Sequence, residues 1–134
     1  MSGARRTLER QRVALARLAL TTSVTTVASR LIWTGDIRPG PLSATYTVRM
    51  VYVVGRTPRV FVLRPTLRAD DIENLPHVYT RDQLCLHYPK QWSDDDLLTE
   101  TILPWTSEWL LHFEFFKIDG AWHGGGHEPA VVPE

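Results

Sequence analysis

Hydrophobic residues in the first part of the chain recur with the spacing of a helix. Leu8, Leu15 and Leu18 fall on one side of a helical projection, and five arginines occupy other positions among the first seventeen residues. This amphipathic pattern predicts a helix within residues 1–20, beginning near residue 3. The residues that follow are rich in Thr and Val, whose β-branched side chains argue against a longer helix.

A change to alternating hydrophobic and polar residues predicts an antiparallel meander within residues 29–65. Residues 45–54, TYTVRMVYVV, have the strongest pattern, because β-branched and aromatic residues alternate with polar ones. Weaker patterns predict strands at residues 29–37 and 59–63. The sequences RPGPLS and GRTP supply turns between these three strands.

The second half of the chain changes from loop to helix. Residues 70–96 are mostly polar and contain two prolines, which predicts loops around the short apolar patch Leu84-Cys85-Leu86. Residues 97–117 have large apolar side chains at helical spacing, and Pro104 is expected to kink this helix or to mark a break. Four glycines and two prolines in residues 118–134 predict an irregular tail.

The order of predicted elements and the composition indicate one α+β domain over residues 1–134. A single cysteine cannot form an internal disulfide, which favours the cytoplasm over secretion. Fifteen basic and fifteen acidic residues cancel, so nucleic acid and anionic membranes are not expected as partners. No apolar run reaches the roughly eighteen residues that a membrane helix needs. The arginines near the start could belong to a transit peptide, but a solvated helix face explains them as well.

Cys85 is the first candidate for chemistry. It lies between two polar loops, where proteins often place reactive side chains, and His77 and His87 could favour its thiolate. It could instead be a metal ligand, or a small buried side chain between two leucines. Structural zinc usually needs paired cysteines, and His123 and His127 flank three glycines, so we expect no metal.

Two further features of the second half have a structural and a functional interpretation. The acidic run Asp94-Asp95-Asp96 precedes the predicted helix and could cap it, or one carboxylate could orient an incoming amine. Four tryptophans between residues 92 and 122 are expected mainly in the core, although some could belong to a partner interface.

Residues 75 to about 110 resemble the ubiquitin-conjugating enzymes. That family has a His-Pro-Asn motif, a short loop, an Ile/Val-Cys-Leu segment and a Trp-Ser pair. Here Leu75-Pro76-His77-Val78-Tyr79 stands at the first motif, Leu84-Cys85-Leu86 at the second, and Gln91-Trp92-Ser93 at the third. The preceding helix and meander have the family's order, so the resemblance implies a ubiquitin-conjugating-enzyme-like fold.

The resemblance also implies roles for individual residues. Cys85 would be the catalytic nucleophile that forms a thioester. His77 stands where the family has an asparagine, and it could donate a hydrogen bond to the oxyanion or favour the thiolate of Cys85. Residues 70–96 would then form the active-site loops, with Tyr79, His87, Trp92 and Asp94 as supporting residues.

The sequence is more similar still to the short, stand-alone branch from bacterial cyclic-oligonucleotide antiviral signalling (CBASS) operons. The resemblance rests on Trp105, Trp109 and the segment Trp122-His123-Gly124-Gly125-Gly126-His127. It implies a cGAS/DncV-like nucleotidyltransferase as partner, with its C-terminal tail carried on Cys85 and transferred to a target in antiphage defence. A ubiquitin-activating-like enzyme could be a further partner, and no cofactor is expected. A non-catalytic binding module and a Cys-His hydrolase remain as alternatives.

Overall fold

The computed structural model describes residues 2–65, 83–84, 86 and 92–119. These residues form helix α1 (Ser2–Ala16), strands β1 (Thr21–Val27), β2 (Arg30–Ile37), β3 (Tyr46–Val53) and β4 (Arg59–Arg64), and helix α2 (Ile102–Asp119). Within these ranges the strands form one antiparallel sheet in the order β1-β2-β3-β4. The predicted α+β class and the order of helix, meander and helix are confirmed.

The core lies on one face of the sheet and is completed by side chains of both helices. Side chains alternate between the two faces of a strand, so every second residue of β2, β3 and β4 enters this core. The buried sheet residues are Leu31, Trp33, Ile37, Tyr46, Val48, Met50, Tyr52, Val60 and Val62. The helices contribute Leu8 and Leu15 from α1 and Ile102, Leu103, Trp109, Leu110 and Phe113 from α2.

Helix α1 is shorter than predicted, because it ends at Ala16 rather than at residue 20. The backbone N–H of Arg17 bonds to the carbonyl three residues earlier, which tightens the last turn. The Thr21 hydroxyl then donates to the Leu15 carbonyl at 2.7 Å and accepts from the indole N–H of Trp33 at 2.8 Å. These bonds end the helix and direct the chain into β1.

Strand β1 was not predicted, and the sheet therefore begins before residue 29. Its seven residues, TTSVTTV, pair with β2 across a tight turn. Most of them are exposed, so the segment lacks the alternation of hydrophobic and polar residues that identified the other strands. At the start of this pairing, a Cβ on Gly35 would lie 2.3 Å from the Trp33 ring and 2.6 Å from the Leu20 carbonyl oxygen. Only glycine fits at that position.

The last helix begins later than predicted, at Ile102 instead of residue 97. Residues 97–101 form hydrogen-bonded turns. Their apolar residues continue the spacing of the helix, so the sequence pattern placed the start of the helix too early. Pro104 consequently lies in the first turn of α2, where its missing N–H removes no helical bond. It therefore marks the predicted break and does not kink the helix.

Because Asp94-Asp95-Asp96 ends well before Ile102, the prediction that this run caps the helix is wrong. Residues 118 and 119 are helical, and the rest of the predicted tail lies outside the described residues.

The turn between β1 and β2 contains a strained residue that gives a test of the fold. Ala28 has a φ of +56°, which costs an L-residue roughly 1–2 kcal/mol. Ala28→Gly is therefore expected to raise the free energy of unfolding by up to about 1 kcal/mol in urea titrations.

Ala44→Gly is the matched control for this prediction. Ala44 is also exposed in a connection between strands, but it has no positive φ, so glycine should only add freedom to the unfolded chain. The control is expected to lower the free energy of unfolding. A loss of stability in Ala28→Gly as well would contradict the strain at that turn.

Candidate functional site

Four of the residues predicted to act in the chemistry lie outside the described part of the chain. They are Cys85, His77, Tyr79 and His87. The structure does describe residues on both sides of the cysteine, Gln83, Leu84 and Leu86, and it describes the predicted supporting residues Trp92 and Asp94. It therefore shows the contacts of residues that flank Cys85 in the sequence.

The residues before the cysteine are attached to the edge of the sheet. The Leu84 N–H donates to the Val60 carbonyl at 2.9 Å, and Gln83 forms an isolated antiparallel bridge with Phe61. The Leu84 side chain is buried in the core, with 3% of its surface exposed, and Leu86 packs against the same core. A bond to β4 and apolar contacts thus fix the backbone on both sides of residue 85.

Asp94 connects the segment after the cysteine to the C-terminal end of β3. Its carboxylate accepts a hydrogen bond from the Tyr52 hydroxyl at 2.5 Å. It also accepts the Gly55 N–H, which lies 3.1 Å and 3.0 Å from the two carboxylate oxygens. Gly55 has a φ of +87°, a conformation that suits glycine in the turn after β3. Asp94 therefore joins a predicted active-site loop to the turn between β3 and β4.

The environment of Tyr52 keeps its hydroxyl protonated. Burial is the largest effect that raises the pKa of Tyr52 above its usual range, and the hydrogen bond and charge of Asp94 raise it further. The neutral phenol is consequently a permanent donor to the carboxylate at physiological pH. This donor and the Gly55 amide already occupy part of the hydrogen-bonding capacity of Asp94.

Trp92 packs against Tyr52 at the border of the same site. The two rings meet edge to face, with centroids 5.6 Å apart and planes at 77°. The indole Nε1–H of Trp92 is buried, and within the described part of the chain no acceptor pairs with it. A buried N–H without a partner is destabilising, so among the described residues this indole is a donor that could accept a further partner.

Gln11 of α1 also binds the segment that contains Asp94. Its side chain is fully buried, its amide nitrogen donates to the Asp96 carbonyl at 2.7 Å, and its oxygen accepts the Leu98 N–H at 2.9 Å. The neighbouring Arg10 donates to the Asp95 carbonyl at 2.9 Å. Gln11 occupies the apolar side of α1 between Leu8 and Leu15. That placement was the signal in the sequence that could have identified it.

Glu114 of α2 makes a similar connection at the N-terminal end of β3. Its carboxylate accepts hydrogen bonds from the Tyr46 hydroxyl at 2.8 Å and the Ser43 hydroxyl at 2.7 Å. Burial and then the Glu114 hydrogen bond raise the pKa of Tyr46. Burial and Asp94 raise the pKa of Tyr52 in the same way at the C-terminal end of β3. Both ends of β3 are thus joined by a protonated tyrosine to a carboxylate from another part of the chain.

Within the residues it describes, the structure contains no candidate metal-binding site. No group of three His, Cys, Asp or Glu side chains there is arranged to hold a metal ion. Of the histidines available for zinc, His112 lies on α2 beside Glu108, and the other four, His77, His87, His123 and His127, lie outside those residues. None of the described helices is long and apolar enough to cross a membrane.

The Tyr52 hydroxyl is expected to contribute stability that depends on pH. The folded protein keeps the phenol proton to a higher pH than the unfolded chain, so the contribution is complete below about pH 10 and declines as pH rises further. Tyr52→Phe should lower the free energy of unfolding by about 1.5–3 kcal/mol at neutral pH. This deficit should shrink above about pH 10 in urea titrations.

Glu100→Gln is the control, because it removes an exposed carboxylate that is not among the charges acting on the pKa of Tyr52 and keeps both Tyr52 and its acceptor. It should change the free energy of unfolding by less than about 0.5 kcal/mol, with no dependence on alkaline pH. A Tyr52→Phe deficit that stays constant through the same pH range would contradict the linkage of Tyr52 to Asp94.

Comparison with known proteins assigns the chain to a family. A family model described as "Type II CBASS E2 protein" matches residues 11–129, a range that contains Gln11, Cys85 and Asp94. A search of curated proteins finds no match. The family model covers far more than half of the chain, and the order of helix, meander and helix agrees with the resemblance seen in the sequence. The chain therefore belongs to the family of type II CBASS E2 proteins.

Proposed function

We propose that this protein is a conjugating enzyme that carries the C-terminus of a partner protein as a thioester on Cys85. The observation that carries the proposal is the family match, because it spans the chain's one cysteine at the position that resembles the family's reactive segment. The α+β order of α1, meander and α2 is compatible with a ubiquitin-conjugating-enzyme-like fold. The partner we propose is the cGAS/DncV-like nucleotidyltransferase of a CBASS operon.

The proposed chemistry has two acyl transfers. The Cys85 thiolate attacks the activated C-terminal carbonyl of the partner, the activating group leaves, and a thioester forms. An amine of the target then attacks the same carbonyl, the bond to sulfur breaks, and Cys85 leaves as the thiolate. The thioester keeps much of the reactivity of the activated acyl group, so no metal or organic cofactor is required.

The described residues on either side of Cys85 are held by hydrogen bonds, which supports this proposal. A nucleophile reacts fastest when it is held close to its geometry of attack. The Leu84 bond to Val60 holds the chain before Cys85, and the Asp94 and Gln11 bonds hold the chain after it. A carrier that must position two different reactants benefits from a backbone that is fixed on both sides.

His77 and Asp94 have assigned roles in the second transfer. The tetrahedral intermediate develops an oxyanion, and we assign His77 as a donor to it, together with nearby backbone N–H groups. Asp94 would orient the incoming amine through the lone pairs that Tyr52 and Gly55 leave available. Tyr79, His87 and Trp92 would support the loops around the cysteine.

Variants of Cys85 test whether the adduct is a thioester. Loading is followed on non-reducing gels with purified partner, ATP and a candidate activating enzyme. The wild-type adduct should disappear when thiol is added. Cys85→Ser should form an ester that resists thiol, because oxygen is the poorer leaving group, and Cys85→Ala should form no adduct.

Two other results would favour an alternative function over the proposed one. A tight complex without any adduct, unchanged in Cys85→Ala, would indicate a non-catalytic binding module. Release of free acid from a small activated ester in the absence of any partner protein, and lost in Cys85→Ala, would indicate a Cys-His hydrolase.

A variant of His77 tests its role in transfer. His77→Ala should slow release of the loaded partner to an amine by roughly 100- to 1,000-fold, the usual effect of removing an oxyanion donor. The rate at which iodoacetamide alkylates Cys85 should stay unchanged. A parallel loss of alkylation rate would show that His77 acts on the thiolate instead.

His112→Ala on α2 is the control for that variant. His112 lies beside Glu108 at 3.7 Å and is not assigned to the chemistry. Its transfer rate should match that of the wild-type protein. A wild-type rate in His77→Ala as well would remove His77 from the mechanism.

A further inference from the structure

The face of the sheet that points away from the core, called here the outer face, carries a hollow lined by apolar and cationic side chains. Its floor is formed by the half-buried residues Ile32, Val51, Phe61 and Leu63. Its rim is formed by three exposed arginines, Arg30, Arg49 and Arg59. The hollow has a volume of about 390 Å³.

The strand register places the three arginines around one apolar centre. Val51 of β3 pairs with Ile32 of β2 on one side and with Arg59 of β4 on the other. Arg49 is two residues from Val51 on the same strand and points to the same face. Arg30 is two residues from Ile32 on β2. Each cation therefore stands on a different strand, at the edge of a shared hydrophobic floor.

Positive charge predominates on the outer face. In the residues that the structure describes, no carboxylate pairs with any of the three arginines, although Arg59 lies 5.9 Å from the centre of the Phe61 ring. Asp36 is the one carboxylate on the described strands of the sheet. It lies on the outer face, four residues from Ile32 on the same strand, and accepts a hydrogen bond from the Thr47 hydroxyl at 2.7 Å. Among the described residues, three exposed arginines against this one carboxylate give the outer face a local excess of positive charge, although the chain as a whole has no net charge.

A hydrophobic floor inside a rim of arginines has the organisation of a protein interface. Such interfaces have an apolar centre and a polar rim, and arginine is enriched among the residues that contribute most to binding. A free phosphate would use the cations but not the four floor residues. A nucleotide base would find one side of the Phe61 ring already occupied by Arg59.

We propose that the outer face binds an acidic protein segment in which carboxylates flank aliphatic side chains. The aliphatic groups would fill the hollow over Ile32 and Val51, and the carboxylates would pair with Arg30, Arg49 and Arg59. This binding is non-covalent. It goes beyond the proposed thioester function and does not depend on it, because no step of it uses Cys85.

Titration of the ¹⁵N-labelled full-length chain with a short peptide tests the proposal. In this peptide Glu alternates with Val and Leu, and a matched peptide has Gln in place of every Glu. The Glu peptide should shift the amide signals of Ile32, Val51 and Phe61, and its affinity should fall as salt is raised. The Gln peptide should bind on the order of tenfold more weakly or not at all.

A triple variant and its control assign the binding to the three arginines. Arg30→Glu, Arg49→Glu and Arg59→Glu together should weaken binding of the Glu peptide on the order of tenfold or more. The control makes the same change of charge on α1, as Arg5→Glu, Arg6→Glu and Arg17→Glu, and should change the affinity less than about twofold. If circular dichroism shows that the first triple variant is unfolded, the same three positions are changed to Gln.

Several outcomes would overturn the proposal. These are no binding of the Glu peptide, equal binding of the Gln peptide, and unchanged affinity in the outer-face variant. Shifts produced by inorganic phosphate or ATP but not by the peptide would assign the face to a small anion. Shifts that appear with protein concentration alone would assign it to a second copy of the chain. Because none of these measurements involves a thioester, they leave the proposed function to its own test.

Discussion

The buried carboxamide of Gln11 requires hydrogen-bond partners, and the backbone of residues 96–98 supplies them. An amide group that is taken out of water without partners costs several kcal/mol, on the order of the total stability margin of a small domain. Helix α1 and the segment after the cysteine therefore have to pack in the relative position that makes these two hydrogen bonds. The backbone at the end of the predicted active-site loops is thereby positioned by a side chain that is 85 to 87 residues away along the chain.

Strand β3 connects this packing to the rest of the fold. At one end the Tyr52 hydroxyl bonds to Asp94 in the cysteine-proximal segment, and at the other the Tyr46 hydroxyl bonds to Glu114 on α2. Both phenols are neutral donors, because burial and the neighbouring carboxylates raise their pKa. The central part of the sheet thus forms a rigid support to which the loops and the last helix are attached. A carrier enzyme that brings two reactants to one sulfur atom would benefit from such a support.

Sequence patterns predicted the α+β class, three strands and both helices, because each of these has a local signal of alternation or helical spacing. They missed β1, whose side chains are mostly exposed and polar. They also misplaced two helix ends, which are set by contacts such as the Thr21 bond to the Leu15 carbonyl. Tyr52 and Gly55 were not identified at the site because their partner, Asp94, lies 42 and 39 residues away in the sequence. No local pattern reports a hydrogen bond of that kind.

The central claim, that Cys85 carries a partner's C-terminus, is tested most directly by intact masses. The chain would be co-expressed with the nucleotidyltransferase of the same operon, and the masses measured without reductant. The account predicts a species whose mass is the sum of both proteins minus one water, lost on addition of thiol and absent from Cys85→Ala. If the two proteins co-purify but give only their separate masses, even with a candidate activating enzyme and ATP, the account is contradicted.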